Sequence, residues 1–202
     1  MADTLRLFVA IELPEAVTKH IGHIIATLRQ QKLQGIRWIS PQGVHLTLKF
    51  LGEIPESQSQ PIVAAMQVAA TGISPFVLQL QGIGIFPHLR APRILWVGVK
   101  GNTVPLFQVC KRLEVAMEEH GFARNQRELT PHLTLARVNG RLLLPELQKL
   151  SHAMNELQEV AEAEFQVTAL SLMESQLSKS GAIYRQKARI PLCTALASSF
   201  GS

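Results

Sequence analysis

The chain carries the segment His45-Leu46-Thr47-Leu48-Lys49-Phe50, and a close copy, His132-Leu133-Thr134-Leu135-Ala136-Arg137, stands in its second half. Apolar and polar residues alternate in both segments. This is typical of a strand with one buried face, because successive side chains of a strand point to opposite faces. Alternation accounts for the leucines but does not require the same histidine and threonine twice. The duplication therefore predicts two similar halves with two histidines across a shared groove.

The stretches around the two motifs mix strands and helices. The predicted strands are 5–13, 44–51, 76–85, 93–100, 132–138, 165–174 and 182–190, with a short extended piece at 36–38. Apolar residues recur at helical spacing after Pro14 to about 31, and again over 56–70, 102–120 and 145–160, with Gly121 ending the third of these helices. This order predicts an α+β fold rather than a strict alternation of strand and helix.

Composition restricts the class of protein. The 202 residues are 47% hydrophobic and 17% charged, which excludes a disordered chain, and two cysteines are too few for a disulfide scaffold. The formal net charge of +5 favours an anionic partner such as RNA or a nucleotide. No apolar run reaches the roughly 20 residues of a membrane helix. Arg6 and Glu12 interrupt the first apolar stretch, unlike in a signal peptide, so we expect a cytoplasmic protein.

The repeated His-x-Thr pairs are suited to proton transfer at phosphorus. Same-face neighbours on a strand are about 7 Å apart, so an imidazole and a hydroxyl could reach one phosphate. Imidazole titrates near neutral pH, so one histidine can accept a proton while the other donates one. The threonine hydroxyls can stabilise the nonbridging oxygens. Paired histidines also bind metals, but the nearest acids in sequence, Glu53 and Glu128, do not complete a ligand set.

The sequence resembles the 2H phosphoesterases, a family characterised by two His-x-Thr motifs, and within it the RNA 2′,3′-cyclic phosphodiesterases, formerly called 2′-5′ RNA ligases. The resemblance extends over roughly 6–192. Besides the two motifs it rests on segments 6–11, 37–38 and 92–96, on Glu174-Ser175, and on Gly181-Ala182 with Tyr184. It implies two antiparallel sheets flanked by helices and related by a pseudo-twofold axis, with a groove between them. We accordingly expect residues 1–202 to form one domain of two interleaved lobes.

The resemblance also implies an activity: opening of a 2′,3′-cyclic phosphate to a 2′-phosphomonoester without metal or cofactor. In that reaction His132 would be the general base and His45 the general acid, while Thr47 and Thr134 would bind the phosphate. Arg137 and Phe50 would contact the substrate. Arg93, in a basic loop, is a further predicted substrate contact because of its charge. We expect the enzyme to act as a monomer on RNA ends or cyclic nucleotides.

Two of these residues conflict with strand alternation. In a regular strand Phe50 and Arg137 would share the face of the leucines, not that of the histidines and threonines. A bulge near Gly52 is needed to turn Phe50 to the groove, whereas the long side chain of Arg137 could reach around a strand end.

Three alternatives remain open at this stage. The same chemistry could act on another cyclic phosphate, such as that of ADP-ribose. The groove could bind RNA ends without turnover. The reverse reaction, joining a cyclic phosphate end to a 5′-hydroxyl end, could also occur through the same transition state.

Overall fold

The computed structural model describes residues 4–125, 129–158, 162–178 and 181–193. Its strands are β1 (Thr4–Glu12), β2 (Ile36–Trp38), β3 (His45–Pro55), β4 (Phe76–Phe86), β5 (Ile94–Gly101), β6 (His132–Val138), β7 (Ala163–Val167), β8 (Ala169–Ser178) and β9 (Gly181–Pro191). Its α-helices are α1 (Glu15–Arg29), α2 (Ser59–Ala70), α3 (Thr103–Glu118) and α4 (Leu144–Glu156). None of the helices in these ranges combines the length and apolarity needed to cross a membrane.

The strands form one continuous antiparallel sheet in the order β7-β4-β5-β6-β3-β1-β8-β9, and β2 pairs with β6. We call β3, β1, β8 and β9 the His45 half, and β6, β5, β4, β7 and β2 the His132 half. The halves meet where Leu46 pairs with Leu133. The predicted α+β fold with antiparallel strands flanked by helices is confirmed, and the two predicted sheets are joined through β3 and β6 into one.

The helices cover one face of the sheet. Buried residues of all four helices form one apolar cluster with the leucines of both motifs. In α1 the buried residues follow helical spacing, which places them on a single stripe: Val17, Ile21, Ile24, Ile25 and Leu28. Gly121 has a φ of 84°, a conformation that favours glycine and ends α3 as predicted. Since the leucines face the helices, the alternate histidine and threonine positions face the open side.

The prediction of a single strand over 165–174 is wrong, because this stretch contains parts of two strands. β7 pairs with β4 in the His132 half, whereas β8 pairs with β1 in the His45 half. The chain thus passes from one half to the other at Thr168, and a local pattern cannot show this because the pairing partners are distant in sequence.

Other element ends also differ from prediction, and β8 extends to Ser178. β3 continues beyond Gly52 to Pro55, because β1 pairs with it along this extension. α4 ends at Glu156, and the predicted end at Val160 lies outside the described residues, as does Glu128.

Candidate active site

A cavity of about 500 Å³ opens on the sheet face opposite the helices. Both halves of the sheet line it. The His45 half contributes His45, Thr47 and Phe50, and the His132 half contributes Thr134 and Arg137. The structure therefore brings together most of the residues that the sequence singled out.

His45 is held between two aromatic rings. Its ring stacks on Phe8 with centroids 4.6 Å apart and meets the edge of Tyr184 at 5.0 Å. Its Nδ1 lies 2.8 Å from the carbonyl oxygen of Gly43. Burial lowers the pKa of His45 below its usual 6.5, and this outweighs the hydrogen bond to Gly43 and the charge of Glu12, which both raise it.

His132 has a comparable backbone contact but a different aromatic environment. Its Nδ1 lies 2.7 Å from the carbonyl oxygen of Thr130. Its ring meets the edge of Phe86 at 5.1 Å and lies 6.3 Å from Trp96. His132 is not among the residues that line the cavity.

The two backbone contacts determine which ring nitrogens are available for chemistry. A carbonyl oxygen only accepts hydrogen bonds, so Nδ1 must carry the proton in both His45 and His132. Nε2 is then the nitrogen that can accept a proton in a neutral ring or donate one in a charged ring. Each histidine is thus oriented for proton transfer through Nε2.

The strand register brings the two motifs side by side. With Leu46 opposite Leu133, an antiparallel register sets His45 beside Thr134 and Thr47 beside His132. Each histidine therefore neighbours the threonine of the other motif. This crossed register sets the histidine and threonine positions of the two halves next to each other on the groove side of the sheet.

A bulge in each motif resolves the conflict over Phe50 and Arg137. On β3 the register passes from Thr47 to Lys49, which leaves Leu48 as an extra residue. An extra residue reverses the alternation beyond it. Lys49 is consequently only 2% exposed, while Phe50 turns to the groove side and is 67% exposed.

The second motif has the same irregularity. On β6 the register passes from Thr134 to Ala136, with Leu135 as the extra residue. Ala136 is buried and Arg137 is exposed along the cavity. β3 thus has a second register shift beside Gly52, where Leu51 is the extra residue, but Phe50 is turned by the shift at Leu48, which lies within the motif. The separate shift on β6 accounts for Arg137.

Arg93 lies outside the cavity wall. Its carbonyl oxygen accepts a hydrogen bond from the backbone N–H of Val138, whose side chain is buried on the helix side. Arg93 precedes β5 and is exposed, and it is not among the residues that line the cavity. The positive charge of Arg93, on which its prediction as a substrate contact rested, does not show whether the side chain lies in the cavity.

Sequence reasoning missed several residues of the cavity. Phe8 and Tyr184 enclose His45, and Arg6 and Arg37 line the same space. Phe8 and Tyr184 stand in strands far from the motif in sequence, and no local pattern distinguishes them from ordinary strand residues. The family resemblance was the signal that could have been followed, because segment 6–11, the Arg37-Trp38 pair and Tyr184 all contribute to it.

An α+β fold with a His-x-Thr pair on each of two adjoining inner strands defines a phosphoesterase of the two-histidine class. The sequence model of the LigT-like phosphoesterase family matches residues 11–96 and again residues 97–184, one motif in each match. The chain belongs to the LigT-like phosphoesterase family.

The chain is also similar to named relatives, and its fold is similar to that of a solved structure. The chain is 32% identical to an RNA 2′,3′-cyclic phosphodiesterase of Methanothermobacter thermautotrophicus, over 89% of this chain and 95% of the relative. It is 31% identical to the Methanocaldococcus jannaschii enzyme of the same name, over 89% and 96%. A crystal structure from Thermus thermophilus is 25% identical with a TM-score of 0.75, covering 93% of this chain and 98% of that one.

Proposed function

We propose that the protein is an RNA 2′,3′-cyclic phosphodiesterase that hydrolyses a terminal 2′,3′-cyclic phosphate to a 2′-phosphomonoester. The observation that carries the proposal is the crossed pairing of the two His-x-Thr motifs through Leu46 and Leu133. The relatives that share about a third of its residues carry the name of this activity. Two histidines and two threonines supply what in-line displacement at phosphorus requires.

In the proposed reaction His132 is the general base and His45 the general acid. Nε2 of neutral His132 takes a proton from water as the water oxygen bonds to phosphorus. The bond from phosphorus to O3′ breaks, and Nε2–H of charged His45 donates its proton to O3′. Thr47 and Thr134 donate hydrogen bonds to the nonbridging oxygens, where charge develops. Exchange with solvent then returns both rings to their starting states.

The lowered pKa of His45 works against this acid role in the free enzyme, because it favours the neutral ring. A bound phosphodiester carries a negative charge and would raise that pKa. The stacking of the ring on Phe8 also stabilises the charged form. Substrate binding therefore supports protonation of His45 in the complex.

The same groove could catalyse the reverse joining of RNA ends. A 5′-hydroxyl in the place of water would attack the cyclic phosphate and form a 2′-5′ linkage, with the same proton transfers. Hydrolysis is the function we propose, and ligation is a second outcome to be examined in the same assay.

Glutamine variants of the two histidines test the proposal. General acid–base catalysis contributes roughly 10²- to 10⁴-fold, so we expect His45→Gln and His132→Gln each to lower kcat by that factor. The substrate is an RNA ending in a 2′,3′-cyclic phosphate, and end-group analysis identifies the product as the 2′- or 3′-phosphomonoester. Activity should persist in EDTA, because the side chains supply both proton transfers.

His23→Gln is the matched control. His23 is exposed on α1, on the helix-covered side of the sheet, and should retain full activity. Full activity in either catalytic variant, or RNA that binds but stays uncleaved with the wild-type protein, would contradict the proposal.

A further inference from the structure

Two arginines stand directly opposite each other at one end of the cavity. Arg37 on β2 pairs with Arg137 on β6, and both side chains line the cavity. Like charges directly opposite in an antiparallel pair destabilise a sheet. This pairing therefore costs stability unless an anion lies between the two guanidinium groups.

No acidic group within the described ranges compensates these charges. Neither Arg37 nor Arg137 has a carboxylate at ion-pair distance in the described chain, and no acidic side chain there lines the cavity. Guanidinium groups bind phosphate in a bidentate manner, so a phosphate is the anion that fits this pair best.

The pair lies beyond the reacting centre along β6. Arg137 follows Thr134 by three positions, which corresponds to a separation of about 10 Å or less along a strand. Short strand β2 holds Arg37 at this place through its register with 136–138 and through the hydrogen bond from the Ile39 N–H to the Leu135 carbonyl, 2.8 Å. The arginine pair is thus built into the sheet, at the end of the groove away from Phe50.

We propose that Arg37 and Arg137 form a second phosphate subsite, which binds the phosphate on the 5′ side of the terminal nucleotide. This inference rests on the proposed function, because the cyclic phosphate must occupy the His-x-Thr centre. The subsite makes the enzyme select RNA ends, which carry that second phosphate, over cyclic phosphates of simple nucleosides. The subsite adds Arg37 to the residues that bind substrate, and it specifies RNA ends as the substrate class.

The test compares two substrates that differ by one phosphate: a nucleoside 2′,3′-cyclic phosphate, and the same compound with a 5′-phosphate. We expect the wild type to prefer the 5′-phosphorylated substrate by at least about tenfold in kcat/KM, the size of a hydrogen bond to a charged group. Arg37→Gln should reduce this ratio to near one, and Arg37→Lys, which keeps a point charge, should retain part of it. Arg112→Gln, on the helix side, should leave the ratio unchanged.

The outcomes separate this subsite from the proposed function. If the wild type hydrolyses both substrates equally well, the subsite is wrong and the function stands. If Arg37→Gln lowers kcat/KM for both substrates by the same factor, the arginine serves the cyclic phosphate itself and the subsite is also wrong. If the wild type hydrolyses neither substrate and no RNA ending in a cyclic phosphate, the proposed function fails and the subsite fails with it.

Discussion

His45 and His132 have the same neighbours in sequence but different surroundings in space. Glu12 pairs with His45 across β1 and β3, whereas Gly98 holds the corresponding position opposite His132. Phe8 and Tyr184 enclose the first ring, and Phe86 and Trp96 lie against the second. The two near-symmetric motifs therefore hold their histidines in different surroundings.

The pH dependence of kcat/KM reports the protonation of His45 in the free enzyme. If His45 is the general acid, activity falls as pH rises through its pKa. Because burial lowers that pKa, we expect this falling limb below pH 6.5. In the profile of kcat the limb should move to higher pH, since the bound phosphodiester anion stabilises the imidazolium.

The Tyr184→Ala variant identifies which limb of the pH profile of kcat/KM reports the protonation of His45. The variant exposes the ring to water, so the pKa of His45 should rise towards 6.5 and move its limb to higher pH. Movement of the falling limb supports His45 as the acid. Movement of the rising limb instead would exchange the roles of the two histidines.

The bulge in β3 buries the charged side chain of Lys49. The bulge turns its ammonium group into the protein, where Nζ lies 2.6 Å from Glu114 Oε2 and 2.8 Å from the Ala123 carbonyl. Lys49→Met removes the counter-ion of the largely buried Glu114 carboxylate, which keeps only its hydrogen bonds from Asn125. We expect this change to lower the free energy of unfolding by about 3 kcal/mol. Urea denaturation measures the loss.

An exposed ion pair is the control for Lys49. Lys19 and Glu15 form an i,i+4 pair on α1 with both side chains more than two-thirds exposed. Lys19→Met should change stability by only about 0.5 kcal/mol or less. Equal effects of the two substitutions would show that burial of the Lys49 pair has no energetic consequence.

At the scale of the element, the two motif strands, β3 and β6, contain the same kind of β-bulge. Each contains an extra leucine that reverses side-chain alternation just after the His-x-Thr pair. The reversal places Phe50 on the groove side at one end and Arg137 at the other. In both strands, the His-x-Thr pair is therefore followed by a residue that lines the cavity.

Strand β4 supports the His132 half through a glycine. A Cβ at Gly84 would lie 2.1 Å from Cζ2 of Trp96, so Gly84→Ala must displace the indole ring that packs near His132. We expect a loss of about 1–3 kcal/mol in stability, as for overpacking in a core. Activity should fall with it, and tryptophan fluorescence should report the displaced ring.

Gly22→Ala is the matched substitution. The nearest atom to its Cβ would be Cγ of Pro41 at 3.5 Å, an ordinary contact. Since alanine in a helix is favoured over glycine, this variant should be more stable by about 0.5–1 kcal/mol. A stable and fully active Gly84→Ala variant would show that the position of Trp96 does not matter.

At the scale of the molecule, the two halves share one core and are joined by four crossings of the chain. A single apolar cluster contains buried residues from both halves and from all four helices. We therefore propose that the protein unfolds as one cooperative unit. Leu7 is 1% exposed in the His45 half, and Leu7→Ala should cost about 3 kcal/mol.

The two tryptophans make this cooperativity measurable. Trp38 and Trp96 both lie in the His132 half, on β2 and β5. If the halves unfold together, Leu7→Ala shifts the tryptophan fluorescence transition in urea as far as the circular dichroism transition. An unshifted fluorescence transition would mean that the halves unfold separately.

The sequence by itself determined the strands that carry the motifs, the helical stripes and the α+β class. These features depend on spacing along the chain, which is visible in one sequence: period two in His45–Thr47 and His132–Thr134, and helical spacing in α1. The same periodicity also showed that Phe50 and Arg137 were out of place in regular strands.

Only the tertiary structure decided which residues meet. Three features depend on contacts between positions that are distant in sequence. They are the separate pairing of β7 and β8, the enclosure of His45 by Phe8 and Tyr184, and the pairing of Arg37 with Arg137. Arg93 and Arg137 carry the same charge, but only Arg137 lines the cavity. The physical reason is that strand pairing is a long-range contact, whereas alternation along a strand is a local property of the backbone.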